Sequence, residues 1–226
     1  MEYQGNLCFH ALSDDPLRNP PMNSPQAIHD AADVSAITQL ILKERESRDL
    51  GRWEEMRGCF HPDSQIRVSW FRGNGADFVK GSIDMARRNV LARHRLSPIR
   101  VVLAGNRAIA TMSAIIEIPV RLQEVEMNLL SYTRFAYRAE RREDQWRIFS
   151  FDAIYLRDEL TPAIPGRTIA IDPRELQSFR LTYRLLSYVL SQQGYKIDGE
   201  LAGEDRPELV QALMKELFTW AGLKPD

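Results

Sequence analysis

Apolar residues recur every three or four positions in the first part of the chain, a spacing typical of helices that bury one face. A first helix is predicted from Asp30 or Asp33, either of which can cap its start, to about Arg48. A second, shorter helix begins near Trp53 and ends at Pro62, because a proline disfavours helix in the residue before it. The apolar positions of these two helices are Val34, Ile37, Leu40, Ile41, Met56 and Phe60.

A third helix is predicted from Ile83 to about Arg93, with the Ser82 hydroxyl capping its start. Elsewhere apolar and polar residues alternate, which predicts β-strands, the first of them from Ile66 to Trp70. Tight turns separate the later strands, so we expect them to form an antiparallel meander. These later strands are predicted at Ile99–Leu103, Ala108–Ile118, Val125–Ala139 and Trp146–Leu156.

The two ends of the chain differ from its middle. Prolines interrupt residues 1–29, which we interpret as an irregular arm, either disordered or packed on a neighbouring subunit. Residues 163–226 begin with a linker rich in proline and glycine and continue with two amphipathic helices that start at Asp172 and Asp205. We expect these helices to pack across or near a subunit interface. An α+β domain at residues 30–162 lies between the arm and this C-terminal extension.

Composition narrows the class of protein. The 226 residues are 44% hydrophobic and 27% charged, as in ordinary globular proteins. With 30 basic and 31 acidic residues the net charge is −1, which argues against a nucleic-acid or membrane-surface partner. No run of apolar residues is long enough to span a bilayer, and the N-terminal residues do not have the pattern of a signal peptide. The two cysteines, Cys8 and Cys59, are too few for a disulfide framework. We therefore expect a reduced, cytoplasmic protein.

Motifs for cofactor chemistry are missing from the sequence. It contains no His-x-x-x-His pair and no pair of neighbouring cysteines, so no metal site is predicted. It also lacks a glycine-rich phosphate loop and the Gly-x-Ser-x-Gly turn of serine hydrolases. With no cofactor predicted, the remaining functions are acid–base chemistry and ligand binding without chemistry.

Asp49 and His94 are the best candidates for acid–base chemistry. Asp49 ends the first helix, and His94 enters a strand forty-five residues later. An imidazole titrates near neutral pH, and a carboxylate beside it sets its tautomer and stabilises the imidazolium ion. The alternative is structural, with Asp49 bonding backbone amides around Gly51 and His94 serving packing or an interface.

The order of elements from Ala32 to Pro162 resembles the SnoaL-like branch of the nuclear-transport-factor-two-like superfamily. The resemblance depends on Asp49-x-Gly-x-Trp53, Phe60-x-Pro-Asp63, the segment from His94 to Pro98 and the strand at Trp146. It implies a cone-shaped, cystatin-like α+β fold in which a curved antiparallel sheet surrounds three helices, followed here by the C-terminal helical pair.

The resemblance also implies a reaction class. In enzymes of this branch, such as scytalone dehydratase, bile-acid dehydratase and lindane dehydrochlorinase, an aspartate and a histidine abstract a proton while a group leaves. Asp49 and His94 match that pair, which implies a cofactor-independent lyase or isomerase acting on a small, mostly apolar molecule. This chain departs from the pattern at Glu44, where several relatives have a tyrosine or lysine that faces the pocket.

Further expectations follow from the same placement. Alternatives to an enzyme are a ligand-binding or assembly module of the same fold and a structural subunit resembling the small subunit of ring-hydroxylating dioxygenases. We expect a homodimer or homotrimer and a small-molecule ligand. The residues predicted to contact that ligand are Trp53, Phe60, Trp70, Asn128, Tyr132 and Asp152.

Overall fold

A computed structural model of the protein describes residues 24–224. Most of the predicted N-terminal arm, with Cys8 and His10, lies outside the described residues. None of the helices between residues 24 and 224 combines the length and apolar character that crossing a bilayer requires.

The first helix, α1 (Pro25–Leu50), begins earlier than the pattern of apolar residues predicts. The Ser24 hydroxyl caps it by accepting a hydrogen bond from the Ala27 N–H at 3.1 Å. The predicted start at Asp30 or Asp33 is wrong because the proline that follows Ser24 favours a helix at this position. At the first helical residue its fixed φ suits the helix, and its missing N–H would have had no partner.

Helix α2 (Trp53–Gly58) is followed by strand β1 (Phe60–Val68) and the short strand β2 (Phe71–Gly73). Phe60 was predicted to lie in the second helix, but it is the first residue of β1. Pro62 does not end a helix; it lies in β1 where the pairing of that strand is irregular, between Phe60 and Gln65. A proline removes a ladder hydrogen bond and is tolerated at such an irregularity.

Helix α3 (Gly75–Arg87) also begins earlier than predicted. Its cap is Asn74, whose side chain accepts a hydrogen bond from the Asp77 N–H at 2.9 Å. The predicted cap, Ser82, lies in the middle of the helix. Glycine is required at the first helical residue because a Cβ atom there would lie 2.5 Å from the Cβ atom of Phe60.

Five further strands complete a seven-stranded sheet with the order β2-β1-β7-β6-β5-β3, in which β4 also pairs with β5. The predicted later strands are confirmed, and the last three extend beyond their predicted ends. The later strands pair antiparallel as predicted, and only β1 and β7 of this sheet are parallel. The five strands are β3 (Arg93–Leu96), β4 (Arg100–Ala104), β5 (Arg107–Leu122), β6 (Val125–Arg142) and β7 (Gln145–Pro162).

Two-residue turns join the longest strands. Gln123 and Glu124 connect β5 to β6 with φ angles of 46° and 61°, and Glu143 and Asp144 connect β6 to β7 with φ angles of 50° and 57°. Positive φ at both central residues gives the turn whose twist matches that of the paired strands. The resulting curved sheet encloses the main hydrophobic core with α1, α2 and α3.

The C-terminal extension covers both faces of this sheet. A short helix α4 (Pro173–Leu176), a 3-10 turn (Leu181–Tyr183) and helix α5 (Arg184–Gln192) replace the one long helix predicted after Asp172. Leu186, Val189 and Leu190 of α5 join the core on the concave side of the sheet.

Helix α6 (Pro207–Ala221) lies on the opposite, outer face of the sheet. Its residues Leu213 and Leu217 pack against Ile109, Ala136 and Ile154 of the sheet. The apolar stripes of the extension are therefore buried on the sheet of their own chain and need no second subunit to cover them.

Candidate functional site

Asp49 and His94 lie in direct contact. Asp49 occupies the last turn of α1, which ends at Gly51 with φ of 72°, and His94 is the second residue of β3. The Asp49 Oδ1 atom lies 2.6 Å from Nδ1 of His94, and Oδ2 accepts the backbone N–H of His94 at 2.7 Å. Two hydrogen bonds from one residue fix the carboxylate, and through it the orientation of the imidazole ring.

The surroundings set the protonation of this pair. Burial, together with the positive charges of Arg45 and Arg48, lowers the pKa of His94 to about 4 against the opposing effect of its hydrogen bond to Asp49. Burial alone would raise the pKa of Asp49, but its hydrogen bonds from His94 bring that pKa below its ordinary value. At neutral pH a carboxylate therefore faces a neutral imidazole. Nδ1 of His94 carries the proton, and Nε2 presents a lone pair.

A cavity on the other side of the His94 ring lies between α1, α3, α5 and the concave face of the sheet. The volume open to the centre of a water-sized molecule is about 40 Å³, and the gap between the walls, including solvent at the open mouth, is about 450 Å³. Its polar groups come mainly from α1 and β3, whereas aromatic and aliphatic side chains form most of the wall. Asp49 does not line this cavity, so it supports His94 from behind. The principal lining residues are Arg45, Arg48, His94, Trp70, Phe78, Phe135, Phe151, Tyr155, Leu186 and Leu190.

An Asp–His pair with largely buried side chains, beside an apolar cavity, is the arrangement that the family resemblance implies. The family model for the SnoaL-like domain matches residues 29–152, a little over half of the chain. This chain belongs to the SnoaL-like domain family. Its α+β architecture is the expected nuclear-transport-factor-two-like, cystatin-like fold. The match begins next to the predicted domain boundary at residue 30, and α4, α5 and α6 lie outside it.

Individual relatives are more distant. A PEP2-like protein of Fusarium vanettenii is 26% identical over 144 residues, which cover 62% of this chain and 62% of that protein, less than two thirds of its length. An uncharacterized protein of Emericella nidulans is 26% identical over 168 residues, which cover 70% of this chain and 71% of that protein. Among solved structures, a putative scytalone dehydratase from Novosphingobium aromaticivorans superposes with a TM-score of 0.50 at 14% identity, covering 62% of this chain and 97% of its own. At that identity the likeness shows a shared fold.

Glu44 has a different role in this SnoaL-like domain from that of a pocket-facing tyrosine or lysine. It is completely buried, and both of its carboxylate oxygens accept hydrogen bonds from the guanidinium of Arg45. The Arg45 guanidinium also lies over the ring of Phe151, 4.7 Å from its centroid. Glu44 therefore compensates the charge of a cavity arginine and does not itself line the cavity.

Of the predicted aromatic wall residues, Trp70 lines the cavity and the other two do not. Phe60 is buried in the core, where its ring packs edge-on against Phe78 with centroids 6.2 Å apart. Trp53 packs beside Gly51 and lines a separate outer pocket on the far side of Arg48.

The predicted polar residues all face away from the cavity. Asn128 is exposed, and the hydroxyl of Tyr132 donates to Glu159 on the outer face of the sheet. Asp152 is buried beneath α6, where it pairs with Arg67. The three predictions are wrong because successive residues of a strand point to opposite faces. Because α6 packs on the outer face, that face also has apolar residues. The alternation in the sequence therefore does not show which face is the inner one.

Two cavity residues that the prediction omitted, Arg45 and Arg48, had a signal in the sequence. They continue the apolar face of α1 that contains Ile37 and Ile41, at the helical spacing of three or four residues. An arginine on the buried face of a helix needs a partner or a function.

Between residues 24 and 224 no group of three or more histidine, cysteine or acidic side chains is close enough to hold a metal ion.

Proposed function

We propose that this SnoaL-like domain is a cofactor-independent lyase or isomerase that removes a proton from a small, mostly apolar molecule, with Nε2 of His94 as the base. The supporting observation is that Asp49 holds Nδ1 of a neutral imidazole whose ring borders an apolar cavity. The structural relative from Novosphingobium aromaticivorans is described as a putative scytalone dehydratase, and a dehydratase belongs to this reaction class.

The proposed reaction transfers one proton to His94. The C–H bond of the substrate breaks and the proton binds Nε2. In a dehydration the electron pair forms a double bond as hydroxide departs from the adjacent carbon, and the imidazolium ion gives its proton to that hydroxide to form water. In an isomerisation no group leaves: the electron pair moves into the activating group, such as a carbonyl, and the imidazolium ion returns the proton to another carbon. Asp49 stabilises the imidazolium ion through its bond to Nδ1.

The environment of His94 restricts the substrate. With a pKa of about 4, His94 is a weak base in the ligand-free protein. The carbon acid must therefore already be activated, for example by a neighbouring carbonyl group. The same weak basicity favours the second candidate function, in which the cavity binds a ligand without transforming it.

The expected homodimer or homotrimer stays a prediction, which light scattering in solution checks.

A test that does not require the natural substrate uses 5-nitrobenzisoxazole, a small aromatic molecule whose ring a base opens by removing one C–H proton. The N–O bond breaks, and the coloured nitrophenolate product reports the rate. We expect the His94→Asn and Asp49→Asn variants to lose about 10²–10⁴-fold in kcat/KM, the usual contribution of a positioned base. The wild-type rate should fall as the pH drops through about 4 and protonates His94.

The matched control is the same substitution at another buried histidine. His61 lies outside the cavity, and its Nε2 contacts the backbone carbonyl of Glu140 at 2.9 Å. The His61→Asn variant should keep the wild-type rate. Equal rates for the wild type and the folded His94→Asn variant would contradict the proposed base.

A further inference from the structure

Arg48 lies between two spaces in the molecule. Together with Ala92 it lines both the cavity next to His94 and an outer pocket near the surface, in which about 180 Å³ is open to the centre of a water-sized molecule. Trp53 and Leu91 form part of the wall of this outer pocket. A molecule reaching from the outer pocket toward His94 would therefore pass the guanidinium of Arg48.

The guanidinium of Arg48 lacks the kind of partner that Arg45 has. The residue is only 9% exposed, and its one side-chain hydrogen bond among residues 24–224 goes to the thioether sulfur of Met85 at 3.4 Å. A thioether is a weak acceptor, so most of the five N–H donors of Arg48 have no protein acceptor in that part of the chain. Arg45, in contrast, is held by both oxygens of Glu44.

An arginine in this position is costly to bury. Burial and the nearby charge of Arg45 lower the pKa of Arg48 to about 10, so the group is still protonated at neutral pH. A buried charge is normally paired, and one held only by a thioether keeps N–H donors free for a ligand. The nearby carboxylate of Asp49 does not serve as that partner: its two oxygens accept hydrogen bonds from His94, and the one side-chain hydrogen bond of Arg48 within residues 24–224 goes to Met85.

A second polar group faces the same outer pocket. Ser82 is 2% exposed, and its Oγ atom has no hydrogen-bonding partner among residues 24–224. Ser82 lies three residues before Met85 on α3, so the two side chains share one face of that helix. Because Met85 contacts Arg48, the serine hydroxyl and the guanidinium belong to the same wall.

We propose that Arg48 and Ser82 form a subsite for a carboxylate carried by a small aromatic or alicyclic substrate. A guanidinium binds a carboxylate with two parallel hydrogen bonds, and the serine hydroxyl can donate a third. The subsite suits a singly charged group, because it offers one cation and Asp49 also lies in the wall of the outer pocket. A phosphate dianion would meet more repulsion there.

This inference rests on the proposed function for the position of the reacting carbon next to His94. With the carboxylate on Arg48, the apolar part of the molecule extends into the cavity lined by Trp70 and Phe135. Arg48 then acts as a specificity-determining residue that positions the substrate. Its loss should raise KM for acidic substrates more than it lowers kcat.

The test compares two ligands that differ in charge but hardly in shape, benzoate and benzamide, by NMR titration at pH 7. In the wild type we expect benzoate to bind at least about tenfold more tightly, since a hydrogen bond to a charged group contributes roughly 1.5–3 kcal/mol. Arg48→Met should abolish this preference, Arg48→Lys should keep part of it, and Ser82→Ala should weaken benzoate binding alone. The control is Arg87→Met, which removes the same charge from a side chain that is 76% exposed on the same helix as Ser82.

The inference is overturned if benzoate binds no more tightly than benzamide to the wild type, or if its advantage persists in Arg48→Met. Thermal melting establishes that each variant is folded. If Arg48→Met does not fold, the test is Ser82→Ala, and unchanged benzoate binding in that variant overturns the inference. Because neither ligand reacts, the result is independent of turnover. Arg48-dependent binding without His94-dependent catalysis would remove the proposed function and leave the subsite, and the opposite pair of results would remove the subsite alone.

Discussion

Replacing His94 with asparagine should make the protein less sensitive to acid. The asparagine amide nitrogen takes approximately the place of Nδ1, so it keeps a donor for the Asp49 carboxylate while removing the group that titrates. In the wild type, burial is the main reason that His94 resists protonation in the folded state. The unfolded chain has no such burial and accepts the proton readily.

The size of the effect follows from the two pKa values. The pKa of His94 is about 4 in the folded protein, against an ordinary value of 6.5. At about 1.4 kcal/mol per pKa unit this interval corresponds to roughly 3 kcal/mol. Because the unfolded state binds the proton more tightly, this stability is fully present above pH 6.5 and is lost as the pH falls to about 4. The variant has no such loss.

Urea unfolding of both proteins at several pH values between 4 and 7 measures this difference. The free energy of unfolding of the wild type, minus that of His94→Asn, should fall by roughly 3 kcal/mol across that range as the pH decreases. Titrating groups distant from His94 are common to both proteins and cancel. A difference that stays constant with pH would refute the argument that His94 is buried and neutral.

Three further predictions concern stability and are measured by urea unfolding. Tyr137→Phe should be neutral or stabilising by about 1 kcal/mol, since the buried Tyr137 hydroxyl has no partner within residues 24–224; a large loss would show a hidden one. Gly75→Ala should destabilise by at least about 1–3 kcal/mol, because its Cβ atom would overlap Phe60; a neutral result would contradict the close packing. Burial raises the pKa of Asp158, which accepts the Leu186 N–H, to about 6. The stability that Asp158 confers is therefore present below pH 4 and lost as the pH rises to about 6, so Asp158→Asn should gain on the wild type over that interval; an unchanged difference would contradict this.

Local chemistry made much of the fold predictable. Alternating residues identified the strands, and the turn at Glu143 and Asp144 predicted a hairpin that the structure contains. Helix starts were predicted less well. At Pro25 and Gly75, residues that usually interrupt helices occupy the first helical turn, which favours proline at one position and has room only for glycine at the other.

The sequence by itself determined the order of most elements, because caps, turns and the alternation of apolar residues are local. It made Asp49 and His94 candidates, but their contact depends on how α1 packs against β3. It did not determine which face of a strand is the inner one. Tyr132 and Asp152 belong to the outer face, where α6 buries apolar residues, so both faces of the sheet have similar sequence patterns. Nor did it show that Arg48 lacks the acidic partner that Arg45 has, since a missing contact between distant elements is visible only when α1 and α3 are packed together.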